Sequence, residues 1–252
     1  MSGHSKRHNI KHKKAISDAK KSKIYAKVGK LIEIASRGGA DPSMNPALDT
    51  VLLKAKAHSL PKEIIEKAIK KWSWASNEGD LQEIFYEAYG PSWSALYIKC
   101  VTNNTNRSAS NIKALINKYG GNLGMPWSVA WQFKELGIIS IDGIAQHDVI
   151  KGNTATTILP LDHEKLEIDA LQANASDLTR DEQIVSIVTS KIDFLSATKY
   201  LESQWYHIVE SELQRIADTM IDLNESDMII FDKLVEMLED DDDVDQVYHN
   251  VN

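Results

Sequence analysis

Along the first third of the chain, apolar residues recur three and four positions apart. Ile24, Val28, Leu31, Ile32 and Ala35 form one such series, which predicts a helix stopped by the Gly38-Gly39 pair. Asn45 followed by Pro46 marks a second helix start, and Leu48, Val51, Leu52 and Ala55 behind it share one face. After Pro61, Ile64, Ile65, Ala68 and Ile69 predict a third helix. Residues 1–78 therefore read as a small helical domain.

From Glu83 the period falls to two. QEIFYEAY and SALYIKCV flank the turn Gly90-Pro91-Ser92-Trp93 and predict a β-hairpin. A helix follows from about Ser108, with Ile112, Leu115, Ile116 and Tyr119 inward and a stop at Gly120-Gly121. Further on, strands are predicted at 128–133 (SVAWQF) and 137–142 (GIISID), then a helix over 162–178, a strand in EQIVSIVTS, a helix over 194–204 and a strand over 206–212. The pattern closes with a helix over 227–238, carrying Met228, Phe231, Leu234, Val235 and Leu238, and a strand in VDQVYHNV. Mixed short helices and strands of this kind indicate an α+β fold.

Charge changes this picture more than composition does. The net charge of −7 over 252 residues conceals a split: residues 1–78 hold seventeen Lys and Arg against seven Asp and Glu, and the remainder twelve against twenty-nine. Within the first thirty residues Asp18 is the one acid among ten basic side chains. Such asymmetry points to a polyanionic partner, although a solvated basic helix is the ordinary use of a charge run. No apolar run reaches the roughly 18 residues of a membrane helix, and MSGHSKRHNIKHKK lacks the apolar stretch of a secretory signal, so a cytoplasmic protein with no membrane partner is expected. The single cysteine, Cys100, excludes an intrachain disulfide and reads as a buried thiol.

Catalytic constellations are missing from the sequence: it has no GxSxG, HExxH, P-loop or paired cysteines, and neither an enzyme nor a cofactor is expected. His4, His8 and His12 would share a helical face, but no carboxylate or thiol completes a metal site beside them, so no metal is expected and phosphate contact suits them better. In TNNTNRSASNI, Arg107 stands at a helix N-terminus, where a guanidinium fork and free amides can hold an anion; Asn106 and Ser108 are read as caps. The acidic run EDDDDVD at 239–245 reads as a charged helix end, with a second use as a local mimic of nucleic acid that restrains the basic region.

Several segments resemble the YebC family of bacterial regulators, whose relatives include a mitochondrial translational activator of a cytochrome oxidase subunit. They are GHSK at 3–6, NIKHKK at 9–14, NPAL at 45–48, LPKEIIEKAIKK at 60–71, YEAYGP at 86–91, NRS at 106–108, GGNLG at 120–124 and LVEMLEDDDDVDQVYHN at 234–250. The resemblance implies three domains: a helical one over 1–78, a discontinuous α+β domain over 79–134 and 217–252, and an α+β domain over 135–216 inserted into it. It also implies a DNA-binding transcriptional regulator, or alternatively a translation factor bound to ribosomal or transfer RNA on the ribosome. Together with the charge pattern, the expected contacts with nucleic acid are His4, Lys6, Arg7, Asn9, Lys11, His12, Lys13, Lys14, Lys20, Lys23, Lys27 and Arg107, in a protein acting as a monomer.

The departures from the family are specific. Arg7 replaces an aromatic, and Asn103 stands where Asp is common. Trp72, Trp74, Trp93 and Trp127 occupy glycine positions of the family pattern, and Trp205 sits where a glycine turn is natural. Twelve glycines is also low, since average usage of about 7% gives about eighteen. The two facts read as UGA codons for glycine rendered as tryptophan; the competing reading is exposed indoles recruited for base stacking.

Overall fold

The structure, a computed structural model, describes residues 18–74, 81–150, 153–181 and 184–252. It is α+β, with a helical region followed by two antiparallel sheets. Among the described residues three helices come first: α1 (Asp18–Ala35), α2 (Pro46–Ala57) and α3 (Lys62–Trp74). Asn45 sets the start of α2 from inside the protein. Its amide donates to the Ala35 and Gly39 carbonyls at 2.7 Å each, and its oxygen accepts from Leu48 N, so one side chain closes α1 and opens α2.

Strands β1 (Gln82–Tyr89) and β2 (Ala95–Thr102) form the expected hairpin, paired from Gln82 with Thr102 to Tyr89 with Ala95. Helix α4 (Thr105–Lys118) and the short β3 (Asn122–Leu123) follow. Helix α7 (Glu225–Glu239) and β9 (Val244–His249) complete this sheet, whose order is β3-β1-β2-β9. β2 is buried on both faces because its alternate side chains enter different cores. Leu96, Ile98 and Cys100 pack with Ile112 and Ile116 of α4 and Phe231, Leu234 and Leu238 of α7. Ala95 and Tyr97 pack with Val129, Phe133 and Ala217.

The second sheet joins β4 (Phe133–Ile150), β5 (Asn153–Leu159), β6 (Ala175–Asp181), β7 (Ile184–Ser190) and β8 (Tyr206–Ala217). Helices α5 (His163–Gln172) and α6 (Phe194–Ser203) cover it, with Leu166, Ala170, Phe194, Ala197 and Leu201 against Ile139, Ile141, Val185 and Ile187. Gly137 lets α6 come this close, because a Cβ there would stand 2.5 Å from the Phe194 ring. The chain divides into two compact units, one of 1–51, 60–134 and 215–252, the other of 52–59 and 135–214.

Four expectations are corrected. The helix expected over 162–178 ends at Gln172: Asn174 takes φ 57°, and residues 175–181 pair with β7 instead. The strand expected at 128–133 is a turn, because the N–H groups of Val129 and Ala130 donate to the Glu87 carboxylate at 2.7 and 2.8 Å rather than to a strand; only from Phe133 is the chain extended. β4 is far longer than 137–142 and continues into the unforeseen β5, since its two halves pair with different neighbours. Finally, Asn104 caps α4 by accepting from Arg107 N at 3.0 Å, so neither Asn106 nor Ser108 holds that place.

Ile98, with no exposed surface, lies at the centre of the first core. Replacing it with Ala should cost about 3 kcal/mol, read as a lower urea midpoint with an unchanged slope.

Candidate nucleic-acid interface

α1 carries its two chemistries on different sides. Val28, Leu31 and Ile32 are buried, and Leu31 packs with Leu81 and Val101 of the first sheet. Lys23, Lys27 and Lys30 recur at helical spacing and fall together along one side. They do not simply face solvent. Lys23 Nζ donates to the Asp240 carbonyl at 3.2 Å and to its carboxylate at 3.0 Å, and Lys27 Nζ donates to the Glu239 carbonyl at 2.6 Å. Lys30 Nζ donates to the Val101 and Asp242 carbonyls at 3.3 and 2.9 Å and stands 3.5 Å from the Asp243 carboxylate. The lysines thereby cap the end of α7, where unpaired carbonyls and the negative end of the helix dipole favour cations.

Arg107 meets the same acidic segment from the other side. Its Nε donates to Asp243 Oδ2 at 3.1 Å and its Nη2 to Oδ1 and Oδ2 at 3.1 and 2.8 Å, while the Ser108 hydroxyl donates to Oδ2 at 3.0 Å. The anion gathered at the N-terminus of α4 is thus the chain's own carboxylate. Asn103 joins the arrangement by accepting from Arg107 Nη2 at 3.2 Å, a role that a neutral amide oxygen fills. Burial by itself would raise the Asp243 carboxyl, but hydrogen bonds from Arg107 and Ser108, with the charges of Lys30 and Arg107, outweigh it and hold the group below the usual carboxylate range. Burial lowers the Lys27 ammonium against the pull of Asp245 and Glu239, whereas the hydrogen bond to Asp240 raises Lys23. The buried Cys100 thiol is pushed up by burial first and by the nearby aspartates next, so it stays protonated.

Of the residues expected to touch nucleic acid, the structure brings together Lys23, Lys27 and Arg107, all on the 239–243 segment. Lys23 Nζ, Lys27 Nζ and the Nε and Nη2 of Arg107 donate within the chain. His4, Lys6, Arg7, Asn9, Lys11, His12, Lys13 and Lys14 lie outside the described residues, and Lys20 is placed only as part of α1. The sequence offered the acidic run as a second-choice restraint on the basic region, but it did not single out Lys30 and Asp243, which pair across it. Among the described residues no group of His, Cys, Asp or Glu side chains is arranged to hold a metal ion, and no helix is long and apolar enough to cross a membrane.

A family model described as the TACO1/YebC protein N-terminal domain matches residues 5–74, and one described as the TACO1/YebC second and third domain matches 81–251. The chain belongs to the TACO1/YebC family. TACO1/YebC relatives named probable transcriptional regulatory proteins are similar over nearly their whole length. The one from Thermoanaerobacter pseudethanolicus is 38% identical, covering 100% of this chain and 97% of its own. That from Hathewaya histolytica is 41% identical, covering 99% and 96%. The crystal structure of a conserved hypothetical protein from Aquifex aeolicus superposes with a TM-score of 0.81 at 30% identity, covering 96% of this chain and 95% of that one.

Asp243 is held below its unfolded pKa, so its contribution is complete above the ordinary carboxylate range and is lost as pH falls through that range towards the folded value. Asp243→Asn should lower stability at neutral pH by about 2 kcal/mol. It should also flatten the acid side of the urea-midpoint profile between pH 5 and pH 3, roughly the span below which unfolded carboxylates protonate; an unchanged profile would refute the assignment.

Proposed function

We propose that the protein is a non-enzymatic regulator of gene expression that binds nucleic acid through its basic N-terminal region. The observation that carries this reading is the density of cationic side chains leading into and along α1, ten Lys and Arg within thirty residues against one acid, in a chain whose relatives are named probable transcriptional regulatory proteins. Lys and Arg bind phosphates without regard to sequence, and each phosphate neutralised releases condensed counterions, which makes affinity steeply dependent on salt. Because Lys23, Lys27 and Arg107 are engaged by the 239–243 segment, the phosphate contacts fall first on Lys6, Arg7, Lys11, Lys13, Lys14 and Lys20, with His4, Asn9 and His12 as hydrogen-bonding partners.

The physiological target is duplex DNA in this reading. A second reading, a ribosome-associated translation factor holding ribosomal or transfer RNA, is favoured by the same charge array, since phosphates of either polymer satisfy it.

Changing Lys6, Lys11, Lys14 and Lys20 together to Glu should abolish a mobility shift of duplex DNA while leaving the thermal unfolding midpoint unaltered; retained affinity would defeat the assignment. Co-sedimentation with ribosomes at low and high salt, beside the shift assay, separates the two targets.

A further inference from the structure

Among the described residues, six other than glycine take a positive φ: Ser59, Ser92, Trp93, Trp127, Asn174 and Trp205. Serine and asparagine are small, and asparagine is the ordinary substitute for glycine in the left-handed region. Tryptophan is the reverse case, a bulky side chain for which this conformation is an outlier. Three tryptophans share it.

Each of the three stands at the position of a familiar turn where a glycine is needed. Ser94 N donates to the Pro91 carbonyl at 3.1 Å, and Ser92 and Trp93 between them take φ 51° and 62°, the paired positive values of a type I′ turn. Ser128 N donates to the Met125 carbonyl at 3.1 Å, with Pro126 second and Trp127 third at φ 69°; this is the layout of a type II turn, whose third position calls for glycine. Trp205 follows the last residue of the α6 cap at φ 67°, its N–H donating to the Glu202 carbonyl at 3.0 Å, as glycine does after a helix C-terminus.

None of these turns is free to relax. Gly90 N donates to the Ser94 carbonyl at 2.8 Å across the first, Glu87 accepts from Trp127 N at 2.7 Å in the second, and the Trp205 carbonyl accepts from Ala145 N at 2.7 Å in the third. Nor do the indoles offset the strain by burial, for Trp93, Trp127 and Trp205 are 79%, 75% and 60% exposed. Trp131 is the internal control: it is exposed too, yet its φ is not positive and its indole N–H donates to the Ser128 carbonyl. Trp72 and Trp74 lie in the helical backbone of α3, which makes no demand for glycine, so the backbone argument covers only the other three.

We infer that the native protein carries glycine at positions 93, 127 and 205, because its gene is read with a code in which UGA specifies glycine. The surface at these turns is then bare backbone, and the apparent pair of exposed indoles at 93 and 127 is no docking patch for bases or partners. This inference stands whether or not the basic region binds nucleic acid.

Sequencing the gene tests it. UGA is expected at 93, 127 and 205 and UGG at 131; UGG at any of the three overturns the inference and returns those indoles to a base-stacking role. Peptide masses of the protein isolated from its source should carry glycine at all three positions, and tryptophan at any of them is equally fatal. As a readout that needs no source material, the triple variant Trp93→Gly, Trp127→Gly and Trp205→Gly should unfold at a higher temperature than the sequence as written, and a midpoint that is equal or lower would count against the proposal.

Discussion

Asp243 has only 7% of its side chain exposed, and a carboxylate so far removed from water must be paired or it destabilises the fold. Its partners come from far along the chain: Arg107 and Ser108 open α4, and Lys30 belongs to α1. Because the next residue, Val244, begins β9, the same carboxylate fixes where that strand enters the sheet beside β2. The backbone takes part as well, with Val101 N donating to the Asp243 carbonyl at 2.8 Å. One buried carboxylate thus touches the basic helix, the start of α4 and the turn into the closing strand.

That pairing alters what the charge tally means. A run of lysines in a sequence looks uniformly available, but Lys23, Lys27 and Lys30 spend their donors on the carbonyls and carboxylates at the end of α7. Lys21, two residues before Lys23, is exposed. The basic region therefore has an anchored flank within the first unit, and any ligand that claims the anchored side chains must compete with bonds already made.

Much of the architecture was legible because it is local. The hairpin of β1 and β2 announced itself by a period of two on either side of Gly90-Pro91, and α1, α2, α4, α6 and α7 by apolar spacing. What stayed hidden depends on partners distant in sequence. Residues 175–181 have the polar composition of a helix end and become a strand only because β7 is there to pair with them. Glu87 reads as one more polar residue in an alternating strand, yet its carboxylate accepts from the N–H groups of Trp127, Val129 and Ala130 and turns a would-be strand into a bend. At the interface, Arg107 was recognisable as an anion-holding residue, but nothing short of the fold could say that its anion is 136 positions away in the same chain. The tryptophans ran the other way: composition and spacing had already marked them, and the backbone supplied the reason.

The first unit is assembled from residues on both sides of an intervening stretch, 135–214, that belongs to the second. On a ribosome the order of completion is therefore inverted, since the later-encoded middle of the chain can close its own sheet while β2 still presents an unpaired edge and the lysines of α1 lack their counter-charges. Only when β9 and the acidic residues before it emerge does the nascent protein acquire the clasp that covers them. Until that moment Lys23, Lys27 and Lys30 carry their charge without those partners.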